Sequence, residues 1–370
     1  METVINKKDR LLSLDSLRGF DMFFIMGLSA LVVSICNLFP TSGFAGWLST
    51  QMFYVEWDGF TQHATVFPFF LYIAGISFPF SIAKQRAAGK TERQIYEKIL
   101  KRAMMLVFLG MVYNGFFELD YENLRFASVL GRTGVAWMLA GILFMKLKTK
   151  PLIIIAILLL TGYWLLLWFI PGGPDTYSFD KNLVGMIDRV LLPGKLLYGN
   201  NHFDPEGILS TFPAIVIAML GMFTGQFVRV SKETVSENRK VVYMMASALF
   251  LLIIGLLWSY VFPINKKLWS SSFVCIITAY SLFFFALFYY IIDVKRYRSM
   301  TLFFRVIGMN SLTIYMAQKI VDFSRISKFF FGGLAVAFPE VGAVINSIGY
   351  IIVCWLFLYF LYTKNVFLKV

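Results

Sequence analysis

The stretch PLIIIAILLLTGYWLLLWFI occupies residues 151–170 and carries no charged side chain. A helix of about 20 apolar residues crosses the hydrocarbon core of a bilayer, which is about 30 Å thick. The sequence therefore predicts an all-α fold, a polytopic integral membrane helical bundle with about ten transmembrane helices. The other predicted spans lie near 19–39, 64–84, 103–119, 127–145, 207–228, 241–262, 268–292, 301–321 and 341–363.

The composition agrees with a chain whose main solvent is lipid. Hydrophobic residues make up 58% of the 370 residues and charged residues 15%, whereas soluble domains carry about 25% charged residues. The formal net charge of +13 is high, but the basic residues are spread over short loops between the apolar runs. We therefore expect a lipid bilayer, and no nucleic acid, as the partner of the chain.

The loops between the apolar runs predict the orientation. With a cytoplasmic amino terminus, alternate loops hold 23 lysine and arginine residues, and the opposite loops hold 8. Cytoplasmic loops carry the excess of positive charge, so both termini are predicted to be cytoplasmic. The first apolar run is too long for a signal peptide and is expected to remain as the first span.

Outside the spans, the chain offers one long polar segment. No repeat or linker divides the sequence, so residues 1–370 are predicted to form a single domain. Residues 171–206 are predicted to form an external cap with a short helix at 182–197. The run FFFGGLAVAF at 329–338 is too short to span and is predicted to be interfacial or re-entrant. One apolar face of the cap helix is predicted to carry Leu183, Met186, Ile187, Val190 and Leu191.

The three cysteines predict neither a disulfide nor a metal centre. Cys36, Cys275 and Cys354 lie in or beside spans, without paired spacing and without a nearby histidine. We expect all three to pack as small apolar side chains. No metal is therefore expected in this protein.

Polar side chains near or within spans indicate cavities or partners, because such groups are costly in hydrocarbon. Asp21 and Arg305 lie near the cytoplasmic ends of spans, where snorkelling or a salt bridge accounts for them. Arg132 differs, since it lies several residues inside the fourth span. Gly131 and Gly134 beside it permit close backbone approach. We therefore expect Arg132 to line a pocket.

Three polar loops directly precede spans on the predicted outer face. They read YVEWDGFTQH at 54–63, NNHFDPEG at 200–207 and PINKKLW at 263–269. A helix cap accounts for the DPEG motif alone. Together the loops offer carboxylates, amides and two tryptophan rings, which suit a hydrophilic ligand such as a sugar. The predicted substrate-binding residues are Glu56, Trp57, Arg132, His202, Asp204, Glu206, Asn265, Trp269 and Asn310.

Several sequence blocks occur in a characteristic order between about residue 11 and residue 365. They are RLLSLDSLRGFDMF, EWDGF followed by VFPFFLYIAGISFPFS, SVLGRTG, FDPEGILSTFPAI, INKKLWSSSF and GMNSLTIY. In these blocks the chain resembles the transmembrane acyltransferase family of heparan-alpha-glucosaminide N-acetyltransferase and its bacterial relatives. The resemblance implies an enzyme of a bacterial inner (plasma) membrane. It implies transfer of an acetyl group from cytoplasmic acetyl-CoA to an amino sugar of the glucosamine type on the extracytoplasmic side.

The chain departs from the family pattern at two positions. The resemblance implies a histidine three residues before Trp57 and an aspartate before the FP dipeptide, but Tyr54 and Ala64 stand there. Acetyl transfer to an amine needs a base and groups that stabilise an oxyanion. The candidate catalytic residues are His63, which is adjacent to the altered position, Tyr54 as a hydrogen-bond donor, and Asp58. Glu56 and Glu206 are alternative carboxylate bases, since burial raises the pKa of a carboxyl group.

The acyl donor carries phosphates, which cationic side chains bind through charge-assisted hydrogen bonds. The candidates for binding acetyl-CoA are Arg18, Lys101, Arg102 and Arg305, near the cytoplasmic ends of spans. The ordinary excess of positive charge in cytoplasmic loops accounts for each of them taken alone. No GxGxxG or GxxxxGK loop occurs, so a nucleotide-hydrolysing or Rossmann protein is not indicated.

Two other classes of protein stay open at the level of sequence. An amino-sugar transporter would also use spans interrupted by glycine and proline, such as Gly75, Pro79, Gly221 and Gly308. A catalytically altered relative or a membrane scaffold would explain the loss of histidine at position 54. Small residues in several spans permit packing between the two subunits of a homodimer.

Overall fold

The structure is a computed structural model that describes residues 11–170, 175–198, 202–299 and 301–368. In these residues the fold is all-α, and the only β-type contacts are isolated bridges. The α-helices are α1 (Leu12–Phe23), α2 (Ser29–Cys36), α3 (Gly43–Thr50), α4 (Gln62–Ala87), α5 (Glu92–Tyr113), α6 (Val129–Lys146), α7 (Thr149–Phe169), α8 (Leu183–Leu191), α9 (Thr211–Val228), α10 (Glu237–Trp258), α11 (Ser271–Phe288), α12 (Thr301–Met309), α13 (Ser311–Ile320), α14 (Phe323–Ala337) and α15 (Gly342–Thr363).

Eight helical segments of the described chain are long and apolar enough to cross a membrane, which makes the chain an integral membrane protein. Each coincides with one of the predicted spans. The segments are Leu12–Cys36, Gln62–Ala87, Val129–Lys146, Thr149–Phe169, Thr211–Val228, Glu237–Trp258, Ser271–Val294 and Pro339–Thr363.

The two remaining predicted spans fall on helices of a different character. The span at 103–119 corresponds to α5, whose first half is charged, with Glu92, Arg93 and Glu97. The span at 301–321 corresponds to α12 and α13, which are separated at Asn310. Helix α5 is long enough to span, at 22 residues, but its first half is charged, whereas α12 and α13 have only 9 and 10 residues. The count of ten spans therefore stays a prediction.

The described chain divides into two compact units. The first contains residues 11–49, 236–243 and 283–368, and the second contains the described residues of 50–235 and 244–282. In the first unit α1 packs closely on α12. The approach is so close that an added Cβ at Gly308 would lie only 1.9 Å from the carbonyl oxygen of Asp15. The apolar core of this unit includes Met22, Met26 and Val306.

In the second unit α4 packs against α9 with the backbones nearly in contact. An added Cβ at Gly75 would lie 2.4 Å from the carbonyl oxygen of Ala218, and one at Gly221 would lie 2.3 Å from that of Tyr72. Only glycine permits this approach at either position. The helix pair, with α6 beside it, forms the framework that carries the polar loops of this unit.

The cap segment contains the predicted helix, but it is shorter and presents a different face. Helix α8 begins after Asn182, whose side chain accepts a hydrogen bond from the Gly185 amide. Leu183 and Val184 are buried in an apolar cluster, whereas Val190 is 81% exposed. The buried face includes Leu183 of the predicted stripe, with Ile187 packed against the same cluster, but it is centred on Val184 and Asp188. Cap residues 171–174 and 199–201 lie outside the described residues.

Candidate functional site

Arg125 binds the acidic turn that precedes α9. Its Nε and Nη2 atoms donate to the two carboxylate oxygens of Asp204, at 2.7 Å each, and Nη2 also donates to Glu206. Asp204 is fully buried and accepts further hydrogen bonds from the Glu206 amide at 2.9 Å and the Leu197 amide at 3.2 Å. This arrangement satisfies both oxygens of Asp204, which indicates a scaffold role for the pair.

Arg132 reaches the same turn from α6. It is 5% exposed, and its Nη2 donates to the Pro205 carbonyl oxygen and the Ser210 hydroxyl. Its guanidinium carbon lies 4.7 Å from the centroid of the Trp269 ring, a cation–π contact. Within the described residues its Nε and Nη1 have no hydrogen-bond partner. Two predicted site residues, Arg132 and Trp269, thus lie together beside the DPEG motif.

Lys266 also lies beside Pro205, and its ammonium group contacts two aromatic rings. Its side chain is 8% exposed, and its Nζ lies 4.3 Å from the Tyr54 ring centroid and 6.0 Å from that of Phe67. Lys266, Tyr54 and Pro205 border a cavity of about 10 Å³, which is about the space of one water molecule. The lining residues are Tyr54, Val55, Trp57, Ala64, Tyr198, Pro205, Lys266 and Lys267.

The charges around this cavity set the protonation states of its walls. Burial lowers the pKa of the Lys266 ammonium to about 8. The negative charge of Glu206 acts to raise this pKa, whereas the positive charges of Arg132, Lys267 and Arg125 lower it further. Burial acts to raise the pKa of the Glu206 carboxyl, but Lys266 and the two arginines outweigh it and hold this pKa below its usual range. Glu206 is therefore ionised at neutral pH, whereas Lys266 readily gives up its proton.

The predicted catalytic residues are divided between this cavity and its surroundings. Tyr54 lines the cavity, and its ring centroid lies 4.5 Å from that of His63. Loss of hydration, and then the negative charge of Glu206, raise the pKa of Tyr54 above its usual range, so that its phenol stays protonated. Asp58 accepts a hydrogen bond from Asn265 Nδ2 at 3.0 Å.

The tryptophan and the histidine next to the cap have partners there. Trp57 Nε1 donates to the Tyr177 carbonyl oxygen at 2.8 Å, while the Trp57 ring borders the cavity. His202 stacks on Phe179 with centroids 5.5 Å apart, and its Nε2 lies 3.2 Å from the Asp180 carbonyl oxygen. Trp57 thus joins the cap segment to the cavity.

The remaining predicted substrate-binding residues are not assembled at the cavity. Asn265 holds a turn, since its Oδ1 accepts from the Leu268 amide at 2.8 Å. Glu56 is exposed, and its backbone carbonyl oxygen accepts a hydrogen bond from Lys267 Nζ. Asn310 belongs to the first unit, where its Nδ2 donates to the Val306 carbonyl oxygen at 3.3 Å.

The predicted acetyl-CoA ligands have local contacts. In the first unit Arg18 pairs with Asp15 at 3.5 Å, and the Arg305 guanidinium lies 5.8 Å from the ring centroid of Tyr362. In the second unit Arg102 lies 4.5 Å from the centroid of Trp137, and Lys101 is exposed. Their role in binding the donor stays a prediction.

Three residues of the site were not predicted from the sequence: Arg125, Lys266 and Asp188. Asp188, on α8, is fully buried, and its Oδ1 accepts a hydrogen bond from the Ile208 amide at 2.9 Å. Burial is the main cause that raises the pKa of this carboxyl to about 7. An added Cβ at Gly207 would lie 1.8 Å from Asp188 Oδ2, so the DPEG motif must end in glycine here.

A larger cavity also borders the DPEG motif. It has a volume of about 290 Å³, and most of its wall is apolar, from α6 and α9. Arg132, Glu206 and Gly207 line it, whereas Pro205 lines the small cavity.

In the part of the chain that the structure describes, no cluster of three or more histidine, cysteine or acidic residues is placed to bind a metal ion.

The helices and the buried charges around the DPEG motif define the class: a multi-pass membrane protein with a polar site among its helices. No family model matches the chain. Two curated proteins are similar to the chain. The chain is 26% identical to heparan-alpha-glucosaminide N-acetyltransferase of Mus musculus over 324 residues, covering 72% of this chain and 49% of the relative. It is 27% identical to the Homo sapiens protein of that name over 326 residues, covering 73% and 49%.

These matches confirm the resemblance seen in the sequence blocks: the chain is similar to heparan-alpha-glucosaminide N-acetyltransferases over 72–73% of its length. It spans about half the length of the curated relatives it matches.

Proposed function

We propose that the protein is a membrane-embedded N-acetyltransferase. It takes the acetyl group from cytoplasmic acetyl-CoA and transfers it to an amino sugar of the glucosamine type on the extracytoplasmic side of a bacterial inner membrane. The homology to acetyltransferases supports the reaction class. The observation that carries the proposal is the cavity that Lys266 shares with Tyr54, Trp57 and Tyr198.

The walls of this cavity suit an amino sugar. The aromatic rings offer apolar faces to a sugar ring and to the cation that an amino sugar carries at neutral pH. Glu206, which lines the larger cavity and is held ionised by Lys266 and the two arginines, supplies negative charge nearby. The cavity as it stands has room for about one water molecule. Sugar binding therefore requires its walls to move, and Tyr54, at 39% exposure, is the side chain with room to do so.

The proposed membrane arrangement has ten spans, with both termini in the cytoplasm and residues 171–206 as an external cap. In addition to the eight apolar segments, α5 would form one span, since at 22 residues it is about 33 Å long. Helices α12 and α13 together would form the other. The asymmetry of basic residues between alternate loops supports this orientation. A homodimer is part of the proposal, since Gly162 and Gly333 have open space beside them among the described residues.

The test uses the purified protein in lipid nanodiscs with radiolabelled acetyl-CoA, with and without glucosamine. We expect label on the sugar, with free CoA released in equal amount. In sealed proteoliposomes, uptake of glucosamine without acetyl-CoA would instead show a transporter, and absence of acetylated sugar would refute the proposed reaction.

A pair of tryptophan variants tests the site. Replacing Trp57, W57A, removes a wall of the cavity and should raise the KM for the sugar about fivefold, because an aromatic contact of this kind contributes about 1 kcal/mol. W47A, at an exposed tryptophan of α3, is the matched control and should leave KM unchanged. Thermal unfolding of both variants shows whether a lost activity reflects a lost fold.

A further inference from the structure

Lys266 is a buried amine whose charge is balanced by aromatic faces rather than by a bound carboxylate. Its Nζ lies over the Tyr54 ring, and within the described residues it makes no ion pair. Its sequence neighbour Lys267 is more exposed and donates to the Glu56 backbone. Burying a cation without a bound anion is costly, so this environment shifts the protonation equilibrium of Lys266 toward the neutral amine.

We propose that Lys266 is the catalytic base of the acetyl transfer, in place of the histidine that is absent at position 54. This inference rests on the proposed function and assigns a residue to its central proton transfer. Lys266 is placed for this task because its side chain lines the cavity, together with the residue that occupies the position of the missing histidine.

Neutral Lys266 Nζ takes one proton from the ammonium group of the amino sugar, which leaves a free amine with a lone pair. The amine nitrogen attacks the thioester carbonyl carbon, the C–N bond forms, and the C–S bond then breaks. The second proton leaves the nitrogen and passes to the departing CoA thiolate. Lys266 finally returns its proton to water.

The other candidate bases are less suited to this step. Glu206 is engaged by Arg125 and is held ionised with a lowered pKa, which makes it a weak base. Asp58 is exposed and accepts a hydrogen bond from Asn265. Tyr54 keeps its proton, since its pKa is raised. His63 contacts the ring of Tyr54 but is not among the residues that line the cavity.

The pH dependence follows from the groups around Lys266. Its pKa of about 8 lies close to the value expected of an efficient base at neutral pH. The neutral, active form increases as pH rises through about 8, so kcat/KM should rise over this range and level off above it. The charged and titratable groups that face Lys266 are Tyr54, His63, Arg125, Arg132, Tyr198, Glu206 and Lys267.

The experiment compares K266M and K266R with the wild-type protein in nanodiscs, from pH 6 to pH 10. Methionine keeps the length of the side chain without the amine, and arginine keeps the positive charge but does not lose its proton in this range. We expect both variants to lower kcat/KM for glucosamine about 10²- to 10⁴-fold, the usual contribution of a general base, and to lose the rise near pH 8. K195M, at an exposed lysine, is the matched control and should keep the wild-type profile.

The outcomes separate this inference from the proposed function. If the wild-type protein acetylates glucosamine and K266M retains the rate and pH profile, Lys266 is not the base while the proposed function stands. If K266R retains activity, the charge of Lys266 matters and its proton transfer does not, which also overturns the inference. If the wild-type protein transfers no acetyl group at any pH, the proposed function fails and the role of Lys266 fails with it. Thermal unfolding of each variant excludes loss of fold as the cause.

Discussion

Arg125 and Lys266 are two cations beside the same DPEG motif, and they are stabilised in opposite ways. Arg125 forms a bidentate ion pair with the buried Asp204 and a further bond to Glu206. Lys266 contacts the rings of Tyr54 and Phe67, and such cation–π contacts contribute only about 0.5–2 kcal/mol. The first arrangement fixes a charge, and the second leaves an amine ready to change its protonation state. We therefore assign the Arg125 network to structure and the Lys266 cavity to chemistry.

The largest effect is expected from breaking the Arg125 network. R125M leaves the buried carboxylates of Asp204 and Glu206 without their main cation. Removing one partner of a buried ion pair costs about 3–5 kcal/mol. We expect a large fall in the thermal unfolding temperature of R125M in detergent micelles.

Two further variants isolate the cause of that fall. The triple variant R125M/D204N/E206Q should be more stable than R125M alone, because it removes the stranded charges. R93M is the exposed control, since the Arg93–Glu97 pair has side chains that are 89% and 60% exposed, and such a pair contributes about 0–1 kcal/mol. A loss in R93M as large as that in R125M would contradict the assignment of Arg125 to the scaffold.

The apolar runs allowed most of the fold to be predicted, because the length and hydropathy of a span are properties of the local sequence. All eight membrane-spanning segments in the described chain were anticipated. The break between α12 and α13 at Asn310 was not, since averaging hydropathy over 301–321 conceals a local interruption. The face of α8 was also misjudged, because burial of Asp188 depends on the Ile208 amide from a distant part of the chain.

The site was only partly predictable for a related reason. Arg132 stood out because a charge inside an apolar run is costly. Arg125 and Lys266 lie in loops, where a basic residue indicates only topology until its partners are known. Arg125 meets Asp204 across 79 residues of sequence, and Lys266 meets Tyr54 from a different loop. The burial of Lys266 arises from this assembly, which neighbouring residues in sequence do not reveal.

A smaller effect on stability is expected at Asp188, which lies between the two regions. Its pKa is about 7 in the folded protein against 3.8 in the unfolded chain, so the folded protein binds more protons between these values and loses stability as pH rises through this range. D188N imitates the protonated carboxyl. It should match the wild-type protein near pH 4 and exceed it at pH 8 by up to about 4 kcal/mol, since one pKa unit corresponds to about 1.4 kcal/mol.

Thermal unfolding of D188N and the wild-type protein at several pH values measures this difference. D175N, at an aspartate with a side chain that is 59% exposed, is the control and should show no comparable change with pH. A D188N stability that runs parallel to that of the wild-type protein at all pH values would show that folding does not raise the pKa of Asp188, because the Ile208 amide and the nearby arginines compensate for its burial.

The smallest effect is expected from placing a histidine at the cavity wall. Y54H puts an imidazole beside Lys266, and its usual pKa of about 6.5 leaves more neutral base at pH 6 than Lys266 supplies. We expect acetyl transfer by Y54H to exceed that of the wild-type protein a few-fold, and up to about tenfold at pH 6, which corresponds to about 1.4 kcal/mol. Y54F keeps the ring that contacts Lys266 and should retain a rise in kcat/KM near pH 8. Unchanged or lower transfer by Y54H, with its fold intact, would show that position 54 does not face the reacting amine, and the chemical role would then belong to another part of the second unit.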